Sequence, residues 1–342
     1  MTLRVAINGF GRIGRAFYKV ARENKEIEIV AVNDLADIKN IAYLLKYDTA
    51  YGVSPFDVKA KEDGSGFIVD GKEVIYTSIK DPAQLPWAQL KIDVVVESTG
   101  LFTSSEKAQA HITAGAKRVV VSAPIKDDPA SPIQGATVLM AMNEEALKTC
   151  VISSNASCTT NAGSPLLAIL DESIGVEKAL LNTVHGYTAS QALVDGPSKK
   201  DFREGRAAAM NLVPSSTGAA IAVTKIMTHL KGLFDGISVR VPVVTGSLVD
   251  VTFVAKKNTT VEEVNALLKA AAAEPRWKGI FTTNEEQLVS SDIVGNPHAS
   301  IADLSFTRVV GGNLVKVMAW YDNEMGYTHT LVRHVVEVGK LI

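Results

Sequence analysis

The 342-residue sequence predicts an α/β protein in two parts. Three observations carry that expectation. A short apolar run, Leu3 to Asn8, passes directly into a glycine-rich turn and a helical stretch. Further short apolar runs recur through the first half and end in small polar residues, as buried parallel strands do. Beyond Cys158 the texture changes to longer alternating stretches, joined without intervening helices, which is the mark of an antiparallel sheet.

In chain order, Leu3 to Asn8 is followed by Gly9-Phe10-Gly11-Arg12-Ile13-Gly14-Arg15 and then by helical Phe17, Val20 and Ala21. This is G-x-G-x-x-G between a strand and a helix. Gly9 permits the tight turn, Gly11 lets a pyrophosphate approach the backbone, and Gly14 lets helix and strand pack closely. The helix N-terminus then faces the phosphates. A second strand, Ile27 to Val32, ends at Asn33-Asp34, and Asp34 follows Gly14 by 20 residues. A carboxylate there accepts hydrogen bonds from the adenosine ribose and repels a 2′-phosphate, which favours NAD over NADP. Capping of the next helix is the competing role for Asp34. The pattern is that of a Rossmann-type dinucleotide-binding domain.

Gly66 to Tyr76 reads as a hairpin around Asp70-Gly71. Asp93 to Glu97 and Arg118 to Val121 are parallel-type strands ending at Ser98-Thr99-Gly100 and Ser122-Ala123-Pro124. Ligands of doubly wound sheets sit beyond the carboxyl ends of the strands, so Thr99 and Ser122 are candidate cofactor contacts. Turn chemistry is the alternative for each.

Ser154-Asn155-Ala156-Ser157-Cys158-Thr159-Thr160-Asn161 surrounds one thiol with small polar residues. Val151 and Ile152 precede it as a strand, and Pro165, Leu166, Leu167, Ile169 and Leu170 follow as a helix reaching about Ser173. Cys158 is thereby expected at a helix N-terminus, an environment that lowers a thiol pKa. A small buried hydrophobe is the alternative, but the polar neighbours fit it poorly. Ala179 to Thr188, Gly236 to Val244, Leu248 to Lys256 and Phe306 to Trp320 alternate as strands, the last split at Gly311-Gly312-Asn313. Thr217 to Leu230, Val261 to Ala273 and Met325 to Ile342 carry helical patterns, the last with Leu331, Val335, Val338 and Leu341 on one side. The thiol thus falls where the two halves of the chain meet.

His185 ends the first strand of the second half, 27 residues after Cys158. One helix and one strand between them can bring those ends together. A histidine there can stabilise the thiolate as imidazolium and serve as acid or base. Ser215-Ser216-Thr217-Gly218 opens a helix in the manner of phosphate sites. Arg240 lies inside a strand pattern and suits a phosphate. Lys199, Lys200, Arg203 and Arg206 form a basic cluster, interleaved with Asp201 and Glu204, that otherwise reads as a solvated face or subunit contact. A thiol, a base, a dinucleotide site and phosphate sites together suit oxidation of an aldehyde through a hemithioacetal and a thioester.

Charged residues make up 21% of the chain and the net charge is −2, which gives no support to nucleic-acid or membrane binding. The two cysteines, Cys150 and Cys158, do not form a disulfide framework and point to a reducing compartment. The N-terminus lacks a signal-peptide pattern, and no apolar run approaches the ~18 residues of a spanning helix. The expectation is a cytoplasmic protein.

At this point the residues resemble the phosphorylating glyceraldehyde-3-phosphate dehydrogenase family over the whole chain. The glycine-rich turn and the Ser154–Asn161 segment carry the resemblance. So do His185-Gly186-Tyr187-Thr188, Asp195-Gly196-Pro197-Ser198, Ser215 to Ala220, Arg240-Val241-Pro242 and Trp320-Tyr321-Asp322-Asn323-Glu324. It implies that Cys158 is the nucleophile and His185 its acid/base partner. Thr188 and Arg240 would hold the phosphate of glyceraldehyde 3-phosphate. Ser157, Thr159, Thr217 and Gly218, with an arginine such as Arg206, would hold the attacking inorganic phosphate. Arg12 and Ile13 would lie against the cofactor pyrophosphate, and Asn323 would orient the nicotinamide carboxamide. The implied division is an NAD-binding domain over 1–157, completed by a C-terminal helix over 324–342, and an α+β catalytic domain over 158–323 with a mainly antiparallel sheet. The implied assembly is a homotetramer, with the Gly186 to Met210 loop packed between subunits. Where many members carry a second cysteine, this chain has Ala162. Erythrose-4-phosphate dehydrogenase and a non-catalytic NAD-binding redox sensor are the alternative functions. From the cofactor reading, Asp34→Gly is expected to relax discrimination against NADP, and the ratio of kcat/KM for the two nucleotides measures it; an unchanged ratio would assign the preference to another group.

Overall fold

A computed structural model describes residues 2–199 and 201–342. The chain forms two compact units, residues 1–156 with 328–342, and residues 157–327.

The first unit is built on a nine-stranded sheet. Leu3–Asn8 lies inside it, between Val94–Glu97 and Ile27–Asn33, and is parallel to both. Outward from Val94–Glu97 come Arg118–Val121, Ile152–Ser154 and Ala136–Thr137, all parallel. On the other side, Lys72–Thr77 is parallel to Ile27–Asn33, and the Gly66–Val69 hairpin partner and Val58–Ala60 close the edge antiparallel. Strand order therefore reverses at Leu3–Asn8, and the carboxyl ends on either side diverge into a crevice there. The central strands are buried on both faces because helices cover them: Val5, Ala6, Ile7, Val94, Val95, Val96, Val119 and Val120 are fully buried.

Helix starts follow local capping chemistry. Asp37 caps Ile38–Lys46, Ser104 caps Ser105–Thr113, and each side chain accepts backbone N–H bonds of the first turn. The terminal helix is Met325–Gly339. Leu331, Val335 and Val338 of its apolar stripe are buried, but Leu341 lies past the helix end and is exposed. A methyl at Gly339 would sit 2.9 Å from a Leu3 methyl, so the helix end packs against the first strand. Buried His334 joins this helix to the strand end: Asn155 Oδ1 accepts from Nδ1 at 3.1 Å, and Ser153 Oγ lies 2.9 Å from Nε2.

The second unit holds a seven-stranded sheet in the order Val213–Ser216, Phe234–Val241, Val176–Gly186, Ser247–Ala255, Leu314–Tyr321, Ser300–Val310, Phe281–Asn284. Four of its six pairings are antiparallel. Alternation sets its two faces: Val249, Val251 and Phe253 point inward, as do Val315, Val317 and Ala319 on the next strand. Cys158–Ser173, capped by Ser157, buries nearly its whole surface on that inner face, as its run of small residues from Thr159 to Ser164 permits. Three strands depart from the sequence expectation: Val176–Gly186 and Phe234–Val241 are shifted by two or three residues, and the strand expected from Phe306 begins at Ser300. No described helix is long and apolar enough to cross a membrane.

His334 is held neutral, since burial lowers its pKa to about 3. Its stabilising contribution is complete above the unfolded value of about 6.5 and is lost as pH falls toward 3. His334→Leu removes the ring's bonds to Ser153 Oγ and Asn155 Oδ1, and a loss of about 2–3 kcal/mol is expected in urea unfolding at neutral pH. The variant's stability should also fall less steeply with acid over that window.

Candidate active site

In the first unit, the turn after Leu3–Asn8 is shaped by close approach. Gly9 has φ +90°, and a side chain there would press within 2.7 Å of the Thr99 backbone nitrogen. A methyl at Gly14 would fall 2.2 Å from the Gly9 carbonyl oxygen, so helix Arg12–Ala21 lies directly on the turn. At Gly11 nothing lies within 4 Å of that position. No side chain caps the helix there. An open backbone at a helix N-terminus fits a pyrophosphate, with Arg12 and Ile13 in the first turn.

Asp34 is tied to this turn. Its Oδ2 accepts from Phe10 N at 2.6 Å and its Oδ1 from Ala36 N at 3.0 Å. The cap of the next helix is Asp37, not Asp34. Arg12 reaches Asp48 at 3.3 Å. Thr99 gives both its backbone N–H and its hydroxyl to Glu97 Oε1, and Ser122 N donates to the Glu97 carbonyl. Glu97 itself was not singled out from sequence. It is buried, and Oε2 accepts from Asn8 Nδ2 at 2.6 Å and lies 2.9 Å from His111 Nε2. The Trp87 indole donates to His111 Nδ1 at 3.1 Å. An indole only donates, so the ring carries its proton on Nε2 and gives it to Glu97.

In the second unit, Cys158 opens helix Cys158–Ser173 and His185 lies near the end of Val176–Gly186. Cys158 Sγ lies 3.3 Å from His185 Nε2. Parallel pairing sets Arg240 opposite His185, and Arg240 Nη1 donates to His185 Nδ1 at 2.7 Å and to the Gly186 carbonyl at 3.2 Å. The Tyr321 ring meets the His185 ring edge-on at 5.9 Å. Its hydroxyl links Thr159 Oγ1 (2.9 Å) to Thr183 Oγ1 (2.7 Å). Tyr321 and Thr183 were missed from sequence. The signal was available, because both are inward positions of alternating strands.

The electrostatics differ from the sequence expectation. Burial pushes the Cys158 thiol up, and the Arg240 charge and Thr159 donors offset it only in part. Burial, with Arg240 adding to it, lowers His185 to about 3.

Most of the remaining predicted residues bond within their own segments. Ser157 Oγ accepts from Thr160 N at 3.1 Å. Thr188 N donates to Gln191 at 2.8 Å. Thr217 Oγ1 accepts from Ala219 N at 3.2 Å, and Gly218 precedes helix Ala219–Ile226. Arg206 is exposed and paired with Asp195 at 2.7 Å, and Arg203 pairs with Asp201. Lys200 lies outside the described residues. Asn323 Oδ1 accepts from Gly246 N at 3.0 Å and lies 3.3 Å from the Thr245 and Ser247 hydroxyls, which leaves Nδ2 to donate.

The family model for the glyceraldehyde 3-phosphate dehydrogenase NAD binding domain matches residues 3–105, and that for the C-terminal domain matches 157–323. Glyceraldehyde-3-phosphate dehydrogenase of Mycobacterium avium is 47% identical over 346 residues, spanning 99% of each chain. That of Clostridium pasteurianum is 47% identical over 335 residues, 96% of each. Glyceraldehyde-3-phosphate dehydrogenase B of Aspergillus oryzae is 44% identical over 344 residues, 99% of this chain and 100% of its own. The chain belongs to the glyceraldehyde-3-phosphate dehydrogenase family. The family's NAD-binding match includes the glycine turn, Asp34 and Thr99. Its C-terminal match runs from Ser157 to Asn323, so it holds the thiol, His185 and Arg240.

Gly14→Ala forces the first helix off the turn. NAD affinity should fall at least about tenfold, a cost of about 1.4 kcal/mol, in a fluorescence titration. Unchanged affinity would mean that the close contact does not shape the site.

Proposed function

We propose that the protein catalyses the reversible oxidative phosphorylation of D-glyceraldehyde 3-phosphate to 1,3-bisphosphoglycerate with reduction of NAD. The observation that carries this reading is the 3.3 Å approach of Cys158 Sγ to His185 Nε2, with Arg240 against the same ring. Cys158 attacks the aldehyde carbon and forms a hemithioacetal. Thr188 and Arg240 hold the substrate phosphate, which fixes the carbon over the thiol. His185 Nε2 takes the hemithioacetal hydroxyl proton as the carbonyl re-forms. Bound NAD supplies the hydride acceptor. Gly9, Gly11, Arg12, Ile13, Gly14, Asp34, Thr99, Ser122 and Asn323 are the residues that would hold it. The thioester on Cys158 then meets inorganic phosphate, held by Ser157, Thr159, Thr217 and Gly218 with Arg206, and leaves as the acyl phosphate.

In this reading residues 1–157 with the C-terminal helix 324–342 bind NAD, and 158–323 carry the chemistry. The protein is cytoplasmic and works as a homotetramer. Exposed Leu193, Val194, Phe202, Met210 and Leu212 support the assembly, because an apolar loop of this size favours cover by another subunit.

The decisive assay is NADH formation from glyceraldehyde 3-phosphate and NAD, with and without inorganic phosphate. Turnover is expected only with phosphate or arsenate. Cys158→Ser should still bind NAD and lose at least about 10³-fold in kcat. Phosphate-independent turnover would mean that water cleaves the thioester, and substantial activity in the serine variant would end the thiolate mechanism.

A further inference from the structure

The carboxyl ends of four neighbouring strands are joined by one line of polar side chains. Thr77 Oγ1 and the Ile79 N–H each donate to Asn33 Oδ1 at 2.9 Å. Asn33 Nδ2 donates to Asn8 Oδ1 at 2.8 Å, and Asn8 Nδ2 donates to Glu97 Oε2 at 2.6 Å. His111 Nε2 donates to the same oxygen at 2.9 Å, its ring fixed by the Trp87 indole behind it. Glu97 Oε1 receives the Thr99 N–H and hydroxyl. Asn8, Asn33, Glu97 and His111 are all buried. The donors thus run in one direction, from Thr77 to Glu97, and end on a group that only accepts.

The two ends of this line lie at two predicted nucleotide contacts. Asp34 follows Asn33 in the chain, and its N–H donates to the Thr77 carbonyl at 3.1 Å. Thr99 follows Glu97 by two residues and lies against Gly9. We propose that Glu97 is a positioning residue of the NAD site: its carboxylate holds the Thr99 turn directly and the Asp34 turn through Asn8 and Asn33. The proposal rests on the cofactor contacts given to Thr99 and Asp34 above. Glu97 is buried with both oxygens occupied, so it acts on the nucleotide through these neighbours alone.

Only a carboxylate can hold both ends. An amide of the same shape has one accepting oxygen and one donating nitrogen. If Glu97→Gln keeps its oxygen toward Thr99, its nitrogen faces Asn8 Nδ2 and His111 Nε2, which are themselves donors. If it turns over, the nitrogen faces the Thr99 N–H. One pair of buried donors loses its acceptor in either orientation, at a cost that a nearly isosteric change would not otherwise carry. Asn8→Asp alone sets two carboxylates 2.6 Å apart. Combined with Glu97→Gln it reverses the polarity of the link and keeps one buried charge. The new carboxylate then accepts from the amide nitrogen at Glu97, and from His111 Nε2, which lies 3.4 Å from the Asn8 nitrogen. Its other oxygen still accepts from Asn33.

The experiment is calorimetry with NAD and with ADP-ribose, which has the adenosine half and no nicotinamide, beside steady-state kinetics. Glu97→Gln should raise the Kd of both ligands about tenfold. With saturating NAD its kcat should stay within about twofold of wild type, since the thiol site is untouched. Asn8→Asp alone should weaken both ligands by at least as much, and the double variant should return to within about threefold of wild type. Unchanged affinity in Glu97→Gln would overturn the proposal, as would a double variant weaker than either single one. One measurement needs no variant to fold: the Thr99 amide of nucleotide-free wild type should be protected from hydrogen exchange, and rapid exchange there would overturn the direct hold. Thr99→Val and Asp34→Gly test the contacts themselves. If neither changes NAD affinity or NADP discrimination, the contact assignment fails and the proposal with it. If they do and Glu97→Gln does not, the positioning role fails by itself.

Discussion

The register between Val176–Gly186 and Phe234–Val241 is the constraint on which the thiol site depends. It sets His185 opposite Arg240. Side chains alternate along a strand, so a slip of one residue would turn Arg240 to the far face and leave the imidazole without its neighbour. The same sheet fixes the other walls. Leu314–Tyr321 delivers the Tyr321 ring to the edge of His185 and its hydroxyl to Thr159 and Thr183. Helix Cys158–Ser173, buried along the inner face, leads back from that end of the sheet. Thiol, base and guanidinium are therefore held by regular elements rather than by loops, which is where sub-ångström placement is least costly to maintain.

The nucleotide half shows the same economy around a different buried group. Glu97 ends a central strand and collects donors from Asn8, Thr99 and His111. A buried carboxylate is tolerable only when its lone pairs are filled, and four donors meet that requirement. Because the Trp87 indole occupies His111 Nδ1, the ring is fixed with Nε2 toward Glu97. The network links the end of the first strand, the Thr99 turn and the core in one piece. Thr99 in turn lies against Gly9, where only a glycine fits.

Much of this was legible in the sequence. Glycine spacing, Asp34 at its distance and the Cys158 segment all depend on local chain geometry, which a sequence displays directly. The fold class followed from the change between buried runs and alternating stretches. Strand ends were less legible, as at Phe234–Val241, because apolar residues continue past the last ladder bond. Long-range polar pairs were not legible at all. Nothing near Asn155 announces His334, and nothing near Trp87 announces His111; each pair forms only when the sheet brings distant segments together. Arg240 was expected to face an anion, and its contact with His185 Nδ1 was not foreseen.

Two opposed effects act on the thiol at the helix start, and they differ in magnitude. A helix N-terminus offers about 0.3–1 kcal/mol to a negative charge, and up to about 2 in favourable partly buried sites. Desolvation shifts a buried group by up to about 3–5 units, each about 1.4 kcal/mol. When the two oppose each other at Cys158, desolvation prevails, and the dipole with Arg240 only moderates it. The same desolvation acts on His185, where Arg240 reinforces it. A site that must generate a thiolate in such surroundings cannot rely on the dipole alone. It needs a proton acceptor in direct reach, and the His185 imidazole between Cys158 and Arg240 is the group placed to serve.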